Sequence, residues 1–343
     1  MIFDPILDLF RGKAITIPPL DGALGPNTAL DEAAVLATLP VPDNLVWHEG
    51  RLLCSTGAYV LSIAGGTAEK LAELSAEVTA LAVSSDGRLA VATDDGHLSE
   101  GGVPVPLPGS IACITALAYG ADGVLWLANG SARHPASGWV ADLMEKGASG
   151  SVWRRPPGGA FAREADGLAW PCGLLPDASG VTVSESWRHR LIRVEGGRAS
   201  PVLSHLPGYP ARLSPAPDGA WLAIFAPRNR LIEFVLQDSH YRRDMMAEVP
   251  REFWIAPALS SGQSFLEPMQ CGGIRMMGIH KAWSPSRSYG LVVRLDGAFA
   301  PVASLHSRAN GRRHGVTSAI EVGGRLYVAA KGGGAVLTLA GGG

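Results

Sequence analysis

Six positions of this sequence have the chemistry and the spacing of a shared site: Asp43, Thr79, Thr115, Cys172, Ala211 and Thr317. Asp43 can act as a general base, with a pKa raised by enclosure, or as a hard-metal ligand. Its structural alternative is a carboxylate that bonds neighbouring backbone amides or hydroxyls. Cys172 can act as a nucleophile if a neighbouring cation lowers its pKa; otherwise it is a small buried hydrophobe. Arg212, directly after Ala211, can clamp a carboxylate or phosphate, or pair with Asp43 in place of a metal cation. Asn44, Thr79, Thr115 and Thr317 supply an amide and three hydroxyls for substrate binding, although threonine is also ordinary strand filler.

Each of the six positions is the second residue of a repeated segment. The segments begin PDNLVWHEGRLLCSTG at Pro42, VTALAVSSDGRLAVAT at Val78 and ITALAYGADGVLWLANG at Ile114. The other three begin PCGLLPDASGVTVSES at Pro171, PARLSPAPDGAWLAIF at Pro210 and VTSAIEVGGRLYVAA at Val316. Each reads as an apolar strand, a Gly-containing turn and a second apolar strand, often with a third strand after it. The second residues are spaced by 36, 36, 57, 39 and 106 residues. Periods near forty with several strands each predict an all-β, six-bladed β-propeller forming a single domain over 1–343. Asp86-Gly87, Asp122-Gly123 and Asp218-Gly219 suit the hairpins, because such turns need positive φ.

The two long intervals predict insertions, at about 129–150 in blade three and 237–286 in blade five. The first carries a short helix over Trp139 to Lys146, and the second a helical pattern with Tyr241, Met245 and Met246 on one face. Blade five resumes at Ser288. Blade six then lacks an outer strand, and the run AITIP (Ala14 to Pro18) is the expected donor that closes the ring.

Composition narrows the function. A formal net charge of -2 without a basic run argues against nucleic acid. No apolar run approaches the ~18 residues of a membrane span, and the N-terminus, with Asp4 and Asp8, lacks a signal peptide's basic leader. Four scattered cysteines without a CxxC pair predict neither disulfides nor a zinc site. The expectation is a cytoplasmic protein acting on a small organic molecule. His134, His189, His280, His306 and His314 fall in loops or turn-like segments, and Arg188 and Arg190 are expected to bridge to Glu185.

The pieces LWLANGSARH, DLMEKGASGSVWR, PCGLLPDASGVTVSESWRHRLIRV, LPGYPARLSPAPDGAWLAIFAPRNRLIE, SYGLVVRLDG and VTSAIEVGGRLYVAA occur in this order. Together they resemble the strictosidine synthase-like proteins, within the wider six-bladed superfamily of gluconolactonases and paraoxonases. In the lactonase and paraoxonase relatives, the resemblance implies a calcium-type metal held by acids and amides at inner-strand starts. The matching positions here are Asp43, Thr115, Cys172 and Ala211, of which only Asp43 keeps an anionic oxygen. Strictosidine synthase is metal-free and relies on a last-blade glutamate, whose position here is Thr317, with Glu321 four residues on. The resulting expectation is an ester or lactone hydrolase with a degenerate metal site. The alternatives are a metal-free condensing or isomerising enzyme based on Asp43 or Glu321, and a non-catalytic propeller that binds a ligand or protein.

Overall fold

The computed structural model describes residues 16–260, 274–276, 279–281 and 288–341. Six four-stranded antiparallel sheets stand around an axis. Their inner strands are Pro42–His48, Val78–Val83, Ile114–Tyr119, Pro171–Pro176, Gly208–Ala216 and Val316–Val322. Consecutive inner strands pack side by side, and the sixth returns against the first, so the ring is closed. Alternation along each strand buries one apolar set between neighbouring blades. One such layer joins Ala80, Ala92 and Leu98 to Ile114, Leu125 and Leu127.

Cross-blade hydrogen bonds fasten the inner ring. Thr115 Oγ1 donates to the Pro171 carbonyl (2.5 Å), Ser184 Oγ to that of Ala211 (2.5 Å) and Ser214 Oγ to that of Ala319 (2.6 Å). At the predicted hairpins Gly87 and Gly123 adopt φ of +83° and +76°, but in the third it is Asp218 that takes the left-handed position, at +55°.

An N-terminal strand does complete blade six, but it is Ala34–Thr38. Thr16 to Pro18 form no strand, and Ala14 and Ile15 lie outside the described residues. AVLAT pairs with Ala335–Ala340 and places Ala37 in the layer shared with Leu52 and Val336. Both runs are short and apolar, and only the edge waiting for a partner chooses between them. Just before the closing strand lies the short helix α1 (Ala29–Glu32).

Helices open both insertions, and the described part of the second also holds a two-stranded hairpin, Ile274–Met276 with Ile279–Lys281. In blade three a 3-10 turn leads into α2 (Trp139–Met144). In blade five the helices begin earlier than expected: RLIEFVLQ, which stands where other repeats have a third strand, forms α3 (Arg230–Gln237). Its period decides this, with Ile232, Val235 and Leu236 buried at helical spacing and the Asn229 side chain accepting from the Leu231 amide (2.8 Å). α4 (Ser239–Glu248) follows, burying Met245 and leaving Tyr241 exposed. The third strand of blade five is then Gly290–Asp296. Among the described residues no helix is long and apolar enough to cross a membrane.

Candidate functional site

One backbone device recurs at five of the six repeat positions and directly after the sixth, Asp43. In every blade the pairing between inner and second strand slips near the inner strand's start. Thr79, Thr115, Cys172 and Thr317 are single extra residues there, and Asn44-Leu45 and Ala211-Arg212 are the pairs that oppose one partner residue. A β-bulge locally turns the strand and re-aims a side chain. Repeated around the ring, it gathers Asp43, Thr79, Thr115, Cys172, Ala211, Arg212 and Thr317 on one cavity of about 320 Å³ at the channel. Asn44 does not line it. Its backbone is left-handed (φ +49°), and its amide donates instead to Ser55 Oγ (2.8 Å) and the Val78 carbonyl (3.3 Å).

The floor of the cavity is an ion cluster. Arg212 Nη1 donates to Asp43 Oδ1 (2.5 Å), and its Nη2 donates to the Thr79 carbonyl (2.8 Å). Lys331 Nζ donates to the other oxygen of Asp43 (3.1 Å) and reaches Glu77 (3.4 Å). Burial alone would push the Asp43 carboxyl up, but Arg212 and then Lys331 outweigh it and hold it at about 2. Asp43 in turn raises Lys331, so the ammonium persists. Burial pushes the Cys172 thiol up in spite of Arg212, so the surroundings do not supply a lowered-pKa thiolate.

Sequence reasoning missed much of the lining. Lys331 and Asp94 are the residues directly after the second strands Arg325–Ala330 and Leu89–Thr93. Each therefore sits at the end of the sheet that holds the inner-strand starts, a register signal available in the repeat. An aromatic wall, also missed, stands on the side of blades three to five. It comprises Trp139, which begins α2, Trp170, Trp187 and Phe225. Trp170 and Trp187 stack with centroids 5.2 Å apart, and Trp139 meets Phe225 edge-on at 5.9 Å.

Other candidates lie elsewhere. Glu321 accepts from the Trp221 indole (2.7 Å) and does not line the cavity. Arg188 and Arg190 both bond the buried Glu185 (2.5 Å each). His134 meets Glu145 (3.0 Å), and His306 is enclosed between Ser304 and Tyr289. The side chain of His280 lies outside the described residues.

These residues do not fit a calcium ion. Calcium takes six to eight oxygens, several of them anionic, whereas both oxygens of Asp43 already carry a protein cation. Thr115 Oγ1 is turned to a backbone carbonyl, and the remaining corners are a thiol and an alanine. Among the described residues no group of three or more His, Cys, Asp or Glu is placed to hold a metal.

No sequence-family model and no curated protein matches the chain. Solved structures do resemble it in fold. A gluconolactonase from Xanthomonas campestris aligns at 18% identity and TM-score 0.53, over 89% of this chain and 88% of its own. Regucalcin from Agrobacterium tumefaciens, a calcium-binding protein, aligns at 15% and 0.54, over 86% and 84%. An aldose sugar dehydrogenase from Streptomyces coelicolor, solved with PQQ bound, aligns at 15% and 0.53, over 90% and 96%. Strictosidine synthase is not singled out by these likenesses. At such identities they show the fold alone, and in fold this chain is a six-bladed β-propeller like the gluconolactonase and regucalcin structures.

Proposed function

We propose that the chain is a small-molecule hydrolase of lactonase or esterase type, acting in the channel cavity with a protein-borne cation pair where related propellers hold a metal. The observation that carries this reading is the Arg212–Asp43–Lys331 cluster on the floor of an aromatic-walled cavity. A lactone or ester laid against Trp139, Trp187 and Phe225 would turn its carbonyl oxygen toward Lys331. That ammonium has three donors and spends two on Asp43 and Glu77. Water adds to the carbonyl carbon, the oxyanion forms beside a fixed cation, and collapse breaks the acyl–oxygen bond.

In this mechanism Asp43 holds the cations. A carboxylate at about 2 is a poor proton acceptor at neutral pH. Glu77, half exposed on the rim beside Lys331, is the carboxylate placed to take the water's proton and return it to the leaving alkoxide. The test is a panel of γ- and δ-lactones and aryl esters, each with and without calcium. Turnover is expected without calcium, with kcat/KM at least tenfold lower in Lys331→Met, about 1.4 kcal/mol of transition-state stabilisation. No turnover under any condition overturns the reading.

A second reading is favoured by one observation: the pinned Asp43 and the raised Cys172 leave no ready base or nucleophile on the cavity floor. It is a propeller that binds a small molecule without converting it. Saturable binding of a lactone recovered intact would support that reading.

A further inference from the structure

Trp187 is the hub of the channel's aromatic wall, and close packing alone does not fix it. Its ring stacks on Trp170 (centroids 5.2 Å apart), lies tilted to Trp139 at 6.3 Å and meets Phe225 edge-on at 6.4 Å. It also lines a second cavity of about 320 Å³, which opens between the C-terminal end of α2, the Ser186–Arg188 turn and α3. Trp187 is thus a partition between two open spaces, where the dense contacts that lock a core side chain are missing.

Asp142 supplies the missing restraint. It follows Trp139 on α2 at the i, i+3 spacing that places two side chains on one helix face. Its Oδ1 accepts from the Trp187 indole N–H (2.8 Å), while its Oδ2 is buried without a hydrogen bond. The side chain is 1% exposed. On the same insertion Arg133 and His134 turn to Glu145 (3.4 and 3.0 Å) and leave Asp142 without an ion pair among the described residues. Room for the carboxyl is made by Gly147, where a Cβ would stand 2.2 Å from Oδ1.

Two features that hold Trp187 are unfavourable to the fold. A buried carboxyl with an unpaired oxygen destabilises, where an apolar side chain of similar shape would not. Trp170, which covers the Trp187 ring, has a backbone φ of +58°, in the left-handed region that bulky residues avoid. Such strain persists where a site uses it. One of these residues bonds the edge of Trp187 and the other covers its face, and the hydrolase mechanism uses neither.

We propose that Asp142 is the positioning residue of the channel wall. By bonding the indole it keeps Trp187 stacked on Trp170 and out of the second cavity, which fixes the width of the slot above the Lys331 floor. The N–H is spent on a residue that does not line the channel, so Trp187 offers the substrate a ring and no hydrogen bond. Hydroxyls laid against it would lose water without gaining a partner, whereas a flat apolar body stacks there. The substrate class, which rests on the hydrolase reading, is therefore a lactone or ester with an aromatic body rather than a polyhydroxylated sugar lactone.

The experiment compares the full chain with its Asp142→Leu, Asp142→Asn and Trp187→Phe variants. The readouts are kcat and KM for phthalide, a fused-ring lactone; calorimetric binding of 1-indanone, a ketone of the same shape that cannot be hydrolysed; and the far-UV exciton couplet of the stacked Trp170–Trp187 pair. Asp142→Leu is expected to lose the couplet and to raise both the phthalide KM and the indanone Kd at least about fivefold, with kcat within about twofold of wild type. Its melting temperature should not fall below wild type, because an unpaired buried carboxyl has been removed. Asp142→Asn, whose amide oxygen still accepts from the indole, should restore the couplet and both constants, and Trp187→Phe marks the couplet's complete loss. The positioning role is overturned if D142L keeps the couplet and binds indanone as wild type does, or if D142N behaves like D142L. A melting temperature lowered alike in both would make Asp142 a structural residue and also overturn it. Glucono-δ-lactone or glucose bound as tightly as indanone overturns the substrate class. Indanone binding without phthalide turnover would remove the hydrolase reading and leave the role of Asp142 standing, whereas turnover with no loss in D142L would do the reverse.

Discussion

Replacing Asp43 by Asn tests the ion cluster most directly. The substitution keeps the side chain's shape and removes the charge to which Arg212 and Lys331 are both bonded. Folding lowers the Asp43 carboxyl from 3.8 to about 2. It therefore binds its proton about sixtyfold more weakly when folded, which contributes about 2 kcal/mol of stability at neutral pH. The side chain is only 11% exposed, so little of this is lost to solvent screening. Removing one member of a buried pair also strands its partners, which raises the expected loss at pH 7 to about 3 kcal/mol. The pH dependence follows from the sign. A carboxyl lowered by folding contributes fully above its unfolded value of 3.8, and loses that contribution as pH falls toward 2. Near pH 3 about half has gone. Urea unfolding of wild type and D43N, compared at pH 7, 4 and 3, should show a stability gap that narrows by about 1 kcal/mol across the series. A gap under about 0.5 kcal/mol at pH 7, or one that does not change with pH, would refute the assignment of Asp43 as the anchor of two partly buried cations.

Calcium should not stabilise the protein: melting temperatures in millimolar calcium chloride and in EDTA are expected to agree, and a calcium-dependent rise would show that the channel accepts the ion after all. Gly173→Ala should destabilise by about 2 kcal/mol in chemical unfolding, because a Cβ there would stand 2.5 Å from the Ala211 carbonyl oxygen and 2.8 Å from the Leu213 nitrogen. Stability unchanged in that variant would mean the inner strands of blades four and five are less tightly apposed. Ala37→Asp places a carboxylate in the layer between the closing strand and blade one, and should cost about 3 kcal/mol. The same change at exposed Val35 should cost far less, and equal effects at the two positions would deny the pairing of Ala34–Thr38 with blade six.

Within the site, legibility followed sequence distance. Thr79, Thr115, Cys172 and Thr317 could be read because each occupies the same step of a local repeat, and the bulge at that step is a local backbone event. Asn44 occupies a similar step, yet its left-handed backbone carries the amide away from the cavity, and no spacing announces that. Trp139 and Trp187 join the wall only because α2 and the Ser186–Arg188 turn fold back over the ring, a matter of insertion geometry.

The sequence alone determined the repeat, its six inner-strand starts, the helical character of the insertions and the need for a borrowed outer strand. All of these follow from strand, helix and blade periods (two, about 3.6 and about forty residues) and from turn chemistry. Tertiary structure decided which run closes the ring, because two similar apolar runs differ only in the edge they can reach. It also decided the chemistry of the channel. Asp43, Arg212 and Lys331 are separated by as many as 288 residues. Their distances and the persistent ionisation of Asp43 arise from ring closure, which brings blades one, five and six to a common axis.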